Sequence, residues 1–406
     1  MYNYNMKDTA TFYYDETFHD RQLVTKDGIL NAYLGTSNDS FIFAIIGAQD
    51  STMGRFLEDY ARLENETKNR LGLNKELKST TFDTKNTKYG LKSLRRDCKT
   101  FYHDYFKLLI KHNILFQVGC ISKTEIIMHR LLAYVKLPPF VIKSAFAYSF
   151  IKLIEVHRLD YLFTELLDNG KDNIKTFFTK TIKLLNTLLS EIEGIEREEM
   201  EVIAIKSILF ILSNSSYENT GIIASDWNYD IVADAISRRI GETSYNCHVV
   251  IDEEQSTYEA CQRFLIDSEQ KNSKLSVGVR AVDMFVGIVG RIIKSFKNDR
   301  KEPLLKNTNQ IKRELYVQKR LLSKEWFELN EETFILYKRI GSFFSSATYW
   351  SSFTLYYGDD IIMLFSLFNY INSYDSYSDY RNDQDMHCEH YNAYVCNQIG
   401  NLFQKS

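Results

Sequence analysis

Three acidic residues are placed where their carboxylates could hold a metal ion. Asp15 ends the strand-forming run TFYYD, and Asp252 ends the similar run NCHVVID. Asp283 lies in the middle of the otherwise apolar segment SVGVRAVDMFVGIVG. A charge in such a segment is costly to bury without a counter-charge, and carboxylates suit Mg²⁺ or Mn²⁺. We therefore predict that the three acids share a divalent metal site. The alternative is that Asp283 caps a helix or forms a local ion pair.

Two glycines lie on the same helical stripe as Asp283. Gly287 and Gly290 follow it by four and seven residues, which places them on one face of a helix. Glycine weakens a helix. We therefore expect the backbone there to approach the sheet or a substrate closely.

Strands and helices that alternate along the chain must position these acids. Apolar runs rich in β-branched and aromatic residues predict strands at 11–18, 40–48, 114–121 and 246–252. Asp27-Gly28 is typical of a turn that returns the chain into a short strand at 30–34. Apolar residues spaced by three and four predict helices at 51–71, 91–112, 231–240, 257–266 and 277–294, with Gly241 as the C-cap of the third. This pattern indicates an α/β fold.

Two regions lack this alternation. Residues 125–224 contain helical runs without an intervening strand, which predicts a helical insertion. Residues 301–406 are mostly helical by pattern, with a polar, mobile stretch at 370–385. The expected core is therefore discontinuous and consists of residues 1–124 and 225–300.

Four short motifs, in order, resemble an uncharacterised bacterial family with an RNase H-like fold. That family has a strand ending in Asp-Glu-Ser-Gly, a Glu-x-Lys motif, a second strand ending in Asp, and a helix with Gln-x-Ala-Asp. The matching segments are Asp15-Glu16-Thr17-Phe18, Glu76-Leu77-Lys78-Ser79, Val250-Ile251-Asp252-Glu253 and Val279-Arg280-Ala281-Val282-Asp283. They span about residues 11 to 294, apart from the insertion. Thr17-Phe18 in place of Ser-Gly, and Arg280 in the last motif, depart from the family pattern.

The resemblance implies a mixed sheet flanked by helices and a metal-dependent phosphodiesterase. In two-metal hydrolysis, carboxylates hold two Mg²⁺ or Mn²⁺ ions about 4 Å apart, one activating water and one stabilising the leaving oxygen. Asp15 would bridge the ions, Glu76, Asp252 and Asp283 would complete the ligands, and Lys78 would face the developing phosphate charge. Glu76 could equally be a solvated loop acid. Glu16, Glu253 and Glu254 are expected at the surface or behind the ligands.

Two basic stripes favour a phosphate-bearing substrate, DNA or RNA. The residues expected to grip its backbone are Lys88, Lys92, Arg95 and Lys99 on one helix, and Arg291 and Lys294 after Asp283. Lys297 and Arg300 continue the second stripe. A solvated helix face is the alternative for either one.

The histidines provide weaker evidence for a metal site than the acids do. His248 alternates with Asp252 and could face the site, although a hydrogen-bonded histidine is the commoner outcome. For His19, too, a core or hydrogen-bonded histidine is the commoner outcome. The group His387, Cys388, His390 and Cys396 resembles metal-ligand spacing only loosely.

Bulk composition limits the classes of protein that need to be considered. The chain has 406 residues and a net charge of -3, which excludes a polybasic nucleic-acid coat. Six scattered cysteines are typical of reduced thiols in a cytoplasmic protein. The N-terminus does not resemble a signal peptide, and the longest apolar runs are far short of the roughly 20 residues of a membrane span. We expect a cytoplasmic protein without membrane contact.

Three functions remain open. The first is a metal-dependent nuclease. The gene neighbourhoods typical of such families suggest a role as an effector in antiviral defence. The second is a weak or inactive RNase H-like scaffold that binds protein or nucleic acid through its insertion or C-terminal region. A restriction-type nuclease using Asp15 with Glu76-x-Lys78 ranks last. It needs these residues on adjoining strands, and it leaves Asp252 and Asp283 unexplained.

Overall fold

The computed structural model describes residues 8–17, 25–26, 29–30, 40–82, 87–156, 162, 173–195, 199–217, 229–305, 321–346, 351–352 and 355–404. The predicted Asp27-Gly28 turn, residues 31–34 of the predicted strand at 30–34, His19 and Phe18 lie outside these residues. The short strands β2 (Thr25–Lys26) and β3 (Ile29–Leu30) on either side of that turn pair antiparallel.

The main sheet among the described residues is mixed and has six strands. Four long or central strands are β1 (Thr9–Thr17), β4 (Ser40–Gln49), β5 (Leu115–Ser122) and β8 (Asn246–Ile251), and the edges are β9 (Ser268–Gln270) and β10 (Ser351–Ser352). Their order is β10-β5-β4-β1-β8-β9. Strand β4 runs antiparallel to both β1 and β5, whereas β8 runs parallel to β1 and β9 parallel to β8. The sequence predicted the four long strands but missed the two edges, which are too short to show a pattern.

The described helices are α1 (Asp50–Leu71), α2 (Arg96–Lys111), α3 (Lys123–Leu131), α4 (Lys143–Val156), α5 (Asn173–Ile192), α6 (Glu199–Ser213), α7 (Asp230–Gly241), α8 (Gln255–Arg263), α9 (Val277–Leu305), α10 (Glu331–Ser346), α11 (Leu355–Asn372), α12 (Tyr377–Asn382) and α13 (His387–Gln404). Short 3-10 turns occur at Ser79–Thr81, Gly90–Ser93, Leu132–Tyr134 and Lys324–Trp326. A two-stranded ribbon joins β6 (Val135–Lys136) to β7 (Ser216–Tyr217). No described helix is both long and apolar enough to cross a bilayer.

Helices cover both faces of the sheet, which explains why its strands are apolar on both sides. On one face, Ile42, Ala44 and Ile46 of β4 pack in a core with α1, α2 and α9. On the other face, Phe41 and Phe43 join a separate core with α7 and α8. The chemistry discussed below lies on the first face, which we call the α9 face.

The predicted insertion has a hydrophobic core of its own, formed by buried residues of α3 to α6. Six large apolar side chains in the described part of this region are exposed: Phe140, Ile142, Ile195, Met200, Ile203 and Phe210. The C-terminal helices behave differently, because their buried residues belong to the same core as α1, α2 and α9.

Three local predictions were wrong. The polar stretch at 370–385 contains the end of α11 and all of α12, because Tyr370 and Tyr380 are buried against His387. Helix α7 includes Gly241, and its C-cap is Glu242 with an ordinary φ of -76°. Helix α2 begins only at Arg96, so residues 91–95 belong to a separate 3-10 turn and an extended link.

Candidate metal and phosphodiesterase site

Two neighbouring parallel strands bring Asp15 and Asp252 together. The last parallel pair of β1 and β8 is Tyr14 with Ile251, and the two aspartates directly follow it. Each carboxylate accepts a hydrogen bond from the next backbone N–H: Glu16 N to Asp15 Oδ1 at 2.8 Å, and Glu253 N to Asp252 Oδ1 at 2.9 Å. Tyr14 and Ile251 are buried in the core opposite the α9 face. Because side chains alternate along a strand, the aspartates lie on the α9 side.

Helix α9 supplies the third acid, Asp283. The backbone N–H of Ser79 donates to its Oδ2 and the Ser79 hydroxyl donates to its Oδ1, both at 2.7 Å. Asp283 is therefore held by a serine and does not form an ion pair with an arginine among the described residues. A β-carbon at Gly287 would overlap the side chain of Ser79. The close approach predicted at Gly287 exists, and its partner is the turn that carries Ser79.

The three carboxylates interact electrostatically. Burial raises the pKa of Asp15 well above its usual value, and the charges of Asp283 and Asp252 raise it further. Burial also raises the pKa of Asp283, against the opposing effect of the Ser79 hydrogen bonds and of the more distant Arg291 and Lys78. Ionised carboxylates held in this way are unfavourable unless a cation compensates them.

The predicted Glu-x-Lys motif lies in the loop that connects α1 to the 3-10 turn at Ser79–Thr81. Leu77 between the two charged residues is fully buried and anchors the loop. Lys78 Nζ lies 3.1 Å from Glu76 Oε1. Burial lowers the pKa of Lys78, but the Glu76 hydrogen bond and the charges of Glu76, Asp252 and Asp283 produce a net increase. Lys78 therefore lies near all three of those acids.

An ion pair that the sequence did not predict, between Arg280 and Glu64, supports this loop. Arg280 donates through Nε and Nη2 to both oxygens of Glu64, at 2.8 to 3.1 Å, and Glu64 Oε1 also accepts from the backbone N–H of Leu77 at 3.4 Å. Arg280, which departs from the family pattern, thus has a structural partner. Ser79 and Glu64 were missed because only tertiary structure brings them to α9 and gives each a charged partner.

The candidate ligand atoms suit a hard divalent cation, although the side chains are not arranged as a complete metal site. All the candidate donors are carboxylate oxygens, which Mg²⁺ and Mn²⁺ prefer. Oε2 of Glu76 is buried and lacks a hydrogen-bond partner among the described residues. Within that part of the chain, however, no group of three or more His, Cys, Asp and Glu side chains could hold a metal ion as arranged. Asp15, Asp252, Asp283 and Glu76 are the residues that would hold one.

The neighbouring acids have other roles. Glu16 is buried on the opposite side of β1 and accepts a hydrogen bond from the Tyr14 hydroxyl. Glu253 is exposed and accepts from Asn272, and Glu254 caps α8 by accepting from the backbone N–H of Ser256. None of these three contacts directs the acid toward Asp283.

Among the side chains that the structure describes, which do not include Lys297 and Arg300, the predicted basic stripes are not continuous surfaces. Lys99 is buried and donates to Thr333, and Arg291 is buried and donates to Ser79 O and to the Tyr102 hydroxyl. Neither side chain can reach a substrate without leaving the core. Lys88 and Arg95 are exposed, Lys92 pairs with Glu328 at 2.9 Å, and Lys294 is half-buried. Because α2 starts at Arg96, the first four residues do not share one helix.

The histidines have protein partners. His248 on β8 lies 3.0 Å from Asp267 and 3.2 Å from Glu269. His387 is fully buried, with its ring nitrogens bonded to the Tyr370 hydroxyl and to Tyr380 O. Burial lowers the pKa of His387 to about 4. Of the four residues with loose metal spacing, His387 and Cys388 are buried, His387 within an aromatic cluster, whereas His390 and Cys396 are exposed.

Comparison of the chain with protein-family models, with curated proteins and with solved structures produced no match.

Proposed function

We propose that this protein is a nuclease with an RNase H-like core that hydrolyses nucleic-acid phosphodiesters with Mg²⁺ or Mn²⁺. The observation that carries the proposal is the meeting of Asp15, Asp252 and Asp283, which come from three separate elements. Burial raises the pKa values of two of them, Asp15 and Asp283, and acids perturbed in this way are typical of functional sites. Without the edge strand β10, the strands of the sheet, numbered by their order along the chain, are arranged 3-2-1-4-5, and only the second of them, β4, runs antiparallel to the others. This order supports an RNase H-like core.

The chain's own residues have distinct tasks in this proposal. Asp15 and Asp252 each accept a hydrogen bond at Oδ1 from the backbone amide that follows, which orients the carboxylate. Ser79 fixes Asp283 through two hydrogen bonds, which orients the carboxylate before any ligand arrives. Lys78, on a half-exposed side chain beside Glu76, can move its ammonium group toward a phosphate oxygen and stabilise negative charge there.

Mg²⁺ or Mn²⁺, when bound, would polarise the phosphodiester and lower the pKa of the attacking water. The oxygen ligands would come from Asp15, Asp252, Asp283 and Glu76.

The test is a cleavage assay on single- and double-stranded DNA and RNA with Mg²⁺ or Mn²⁺. We expect the wild-type protein to cut at least one substrate, and Asp15→Ala and Asp283→Ala to lose that activity. Asp104→Ala, which removes a half-exposed acid of α2 whose partner is His103, is the matched control and should retain it. Absence of cleavage by the wild type on every substrate, or full activity of Asp15→Ala, would contradict the proposal.

A second candidate is a binding module built on the same scaffold. The exposed apolar side chains of the insertion favour it, because surface patches of this kind often mark partner sites. The departure at Arg280 does not favour it, since the Glu64 pair gives that residue a structural role. An intact fold that binds oligonucleotides or a protein but does not cleave with either metal would support this alternative.

A further inference from the structure

A groove opens directly beside the candidate site. It has a volume of about 630 Å³. Its walls are the last turns of α1, the Glu76-x-Lys78 loop, and the start of α9 with the preceding residue Lys274. Glu76 and Lys78 belong to both the groove and the proposed site, so a molecule lying in the groove contacts the loop that borders Asp283.

The groove is basic in a protein whose net charge is -3. Its described lining residues include five cationic side chains, against two acidic ones, Glu64 and Glu76. The cationic residues are Lys68, Lys75, Lys78, Lys274 and Arg280. Arg280 is neutralised by Glu64 and Lys78 by Glu76. Lys68, Lys75 and Lys274 form no ion pair among the described residues, which leaves an excess of three positive charges.

The rest of the lining indicates how a ligand would be held. Asn65, Asn74, Thr80 and Thr81 add neutral hydrogen-bonding groups, and none of the described lining residues is aromatic. Proteins that recognise unstacked bases use aromatic platforms, whereas lysines and hydroxyl groups contact phosphates. The lining therefore suits a sugar-phosphate backbone and not the bases.

We infer that this groove binds the phosphodiester backbone of a nucleic-acid strand through Lys68, Lys75 and Lys274, independently of sequence. The inference rests on the proposed function, because it identifies the path by which the substrate reaches Asp15, Asp252 and Asp283. The basic surface is then formed by α1, a loop and the start of α9, and not by the two helical stripes expected from the sequence.

The salt dependence of binding gives the expected magnitude. Three phosphate contacts to a single strand predict a slope of log K against log salt of about -2, and each contact contributes roughly fivefold in affinity at 0.1 M salt. Loss of one lysine should weaken binding about fivefold, and loss of all three roughly a hundredfold, with a slope near zero.

The experiment measures binding without cleavage. Fluorescein-labelled single-stranded DNA and RNA of mixed sequence, and their duplexes, are titrated with the full chain in EDTA at several salt concentrations. The variants are Lys68→Gln, Lys75→Gln, Lys274→Gln and the triple substitution. Lys107→Gln, which removes an exposed lysine of α2 outside the groove, is the control for loss of charge. Thermal unfolding of each variant checks that the fold is retained.

The outcomes separate this inference from the proposed nuclease activity. Weaker binding and a smaller salt slope in the triple variant, with Lys107→Gln unchanged, supports the groove whether or not the wild type cleaves. If the triple variant binds as tightly as Lys107→Gln, or if the wild type binds no oligonucleotide, the groove is not the nucleic-acid path. Cleavage by the wild type would still support the nuclease in either case.

Discussion

Gly287 is the position at which a single methyl group should disturb the site most. Alanine in a helix interior is ordinarily favoured over glycine by roughly 0.5–1 kcal/mol. At Gly287 the added β-carbon would overlap Cβ of Ser79 and lie 2.5 Å from its Oγ. Cβ can move only with the turn, and Oγ can rotate away only by giving up its hydrogen bond to Asp283. Overpacking of this kind costs about 1–3 kcal/mol, and loss of one hydrogen bond to the Asp283 carboxylate costs about 1.5–3 kcal/mol more.

We therefore expect Gly287→Ala to lower the free energy of unfolding by about 2 to 5 kcal/mol, measured by urea denaturation. Gly54→Ala is the matched control, because Gly54 lies in α1 with nothing within 4 Å of its added β-carbon. That variant should be as stable as the wild type or slightly more stable. Metal-dependent cleavage should also fall in Gly287→Ala, since the displaced turn carries Lys78.

A compensating substitution separates the two contributions. Ser79→Gly in the Gly287→Ala background removes the overlap but not the loss of the hydroxyl bond to Asp283, so it should restore only part of the stability. If Gly287→Ala unfolds at the same urea concentration as Gly54→Ala, the close approach of α9 to this turn is not present and the reasoning fails.

Three further predictions concern buried titratable residues. Asp15→Asn should raise the melting temperature in metal-free buffer, because burial and the neighbouring acids make the ionised form unfavourable. The same substitution should abolish any stabilisation by Mn²⁺. A lower melting temperature in metal-free buffer would contradict this prediction. Arg280→Met should cost about 3–5 kcal/mol by leaving Glu64 unpaired, whereas Arg280→Met combined with Glu64→Met should recover most of it in urea denaturation. His387 stays neutral in the folded protein down to about pH 4, whereas the unfolded chain is protonated below about 6.5, so stability is lost as the pH falls between those values. Unfolding at pH 5.0 should therefore require about 2 kcal/mol less than at pH 7.5, and His387→Gln should show a correspondingly smaller change.

The sequence predicted the long elements because their signals are local. The apolar runs that became β1, β4, β5 and β8 are recognisable without knowledge of their neighbours, since a strand covered on both faces needs apolar residues at nearly every position. Asp15 and Asp252 were identifiable for the same reason, as acids at the ends of such runs. Asp283 was identifiable because a charge interrupts an apolar helix.

Other features depend on pairs of residues far apart in the chain. The contact between Ser79 and Asp283 spans 204 positions, and the pair of Glu64 with Arg280 spans 216, so no local pattern announces either one. Lys99 and Arg291 were predicted at the surface because their spacing resembles an exposed stripe, but tertiary packing gives both a buried hydrogen-bond partner. The groove beside Glu76 is likewise formed only when α1, its following loop and the start of α9 meet. The sequence determined which residues could do chemistry and which elements carry them. Tertiary structure alone decided which charges are neutralised inside the protein and which remain available to a ligand, because burial and pairing depend on neighbours in space.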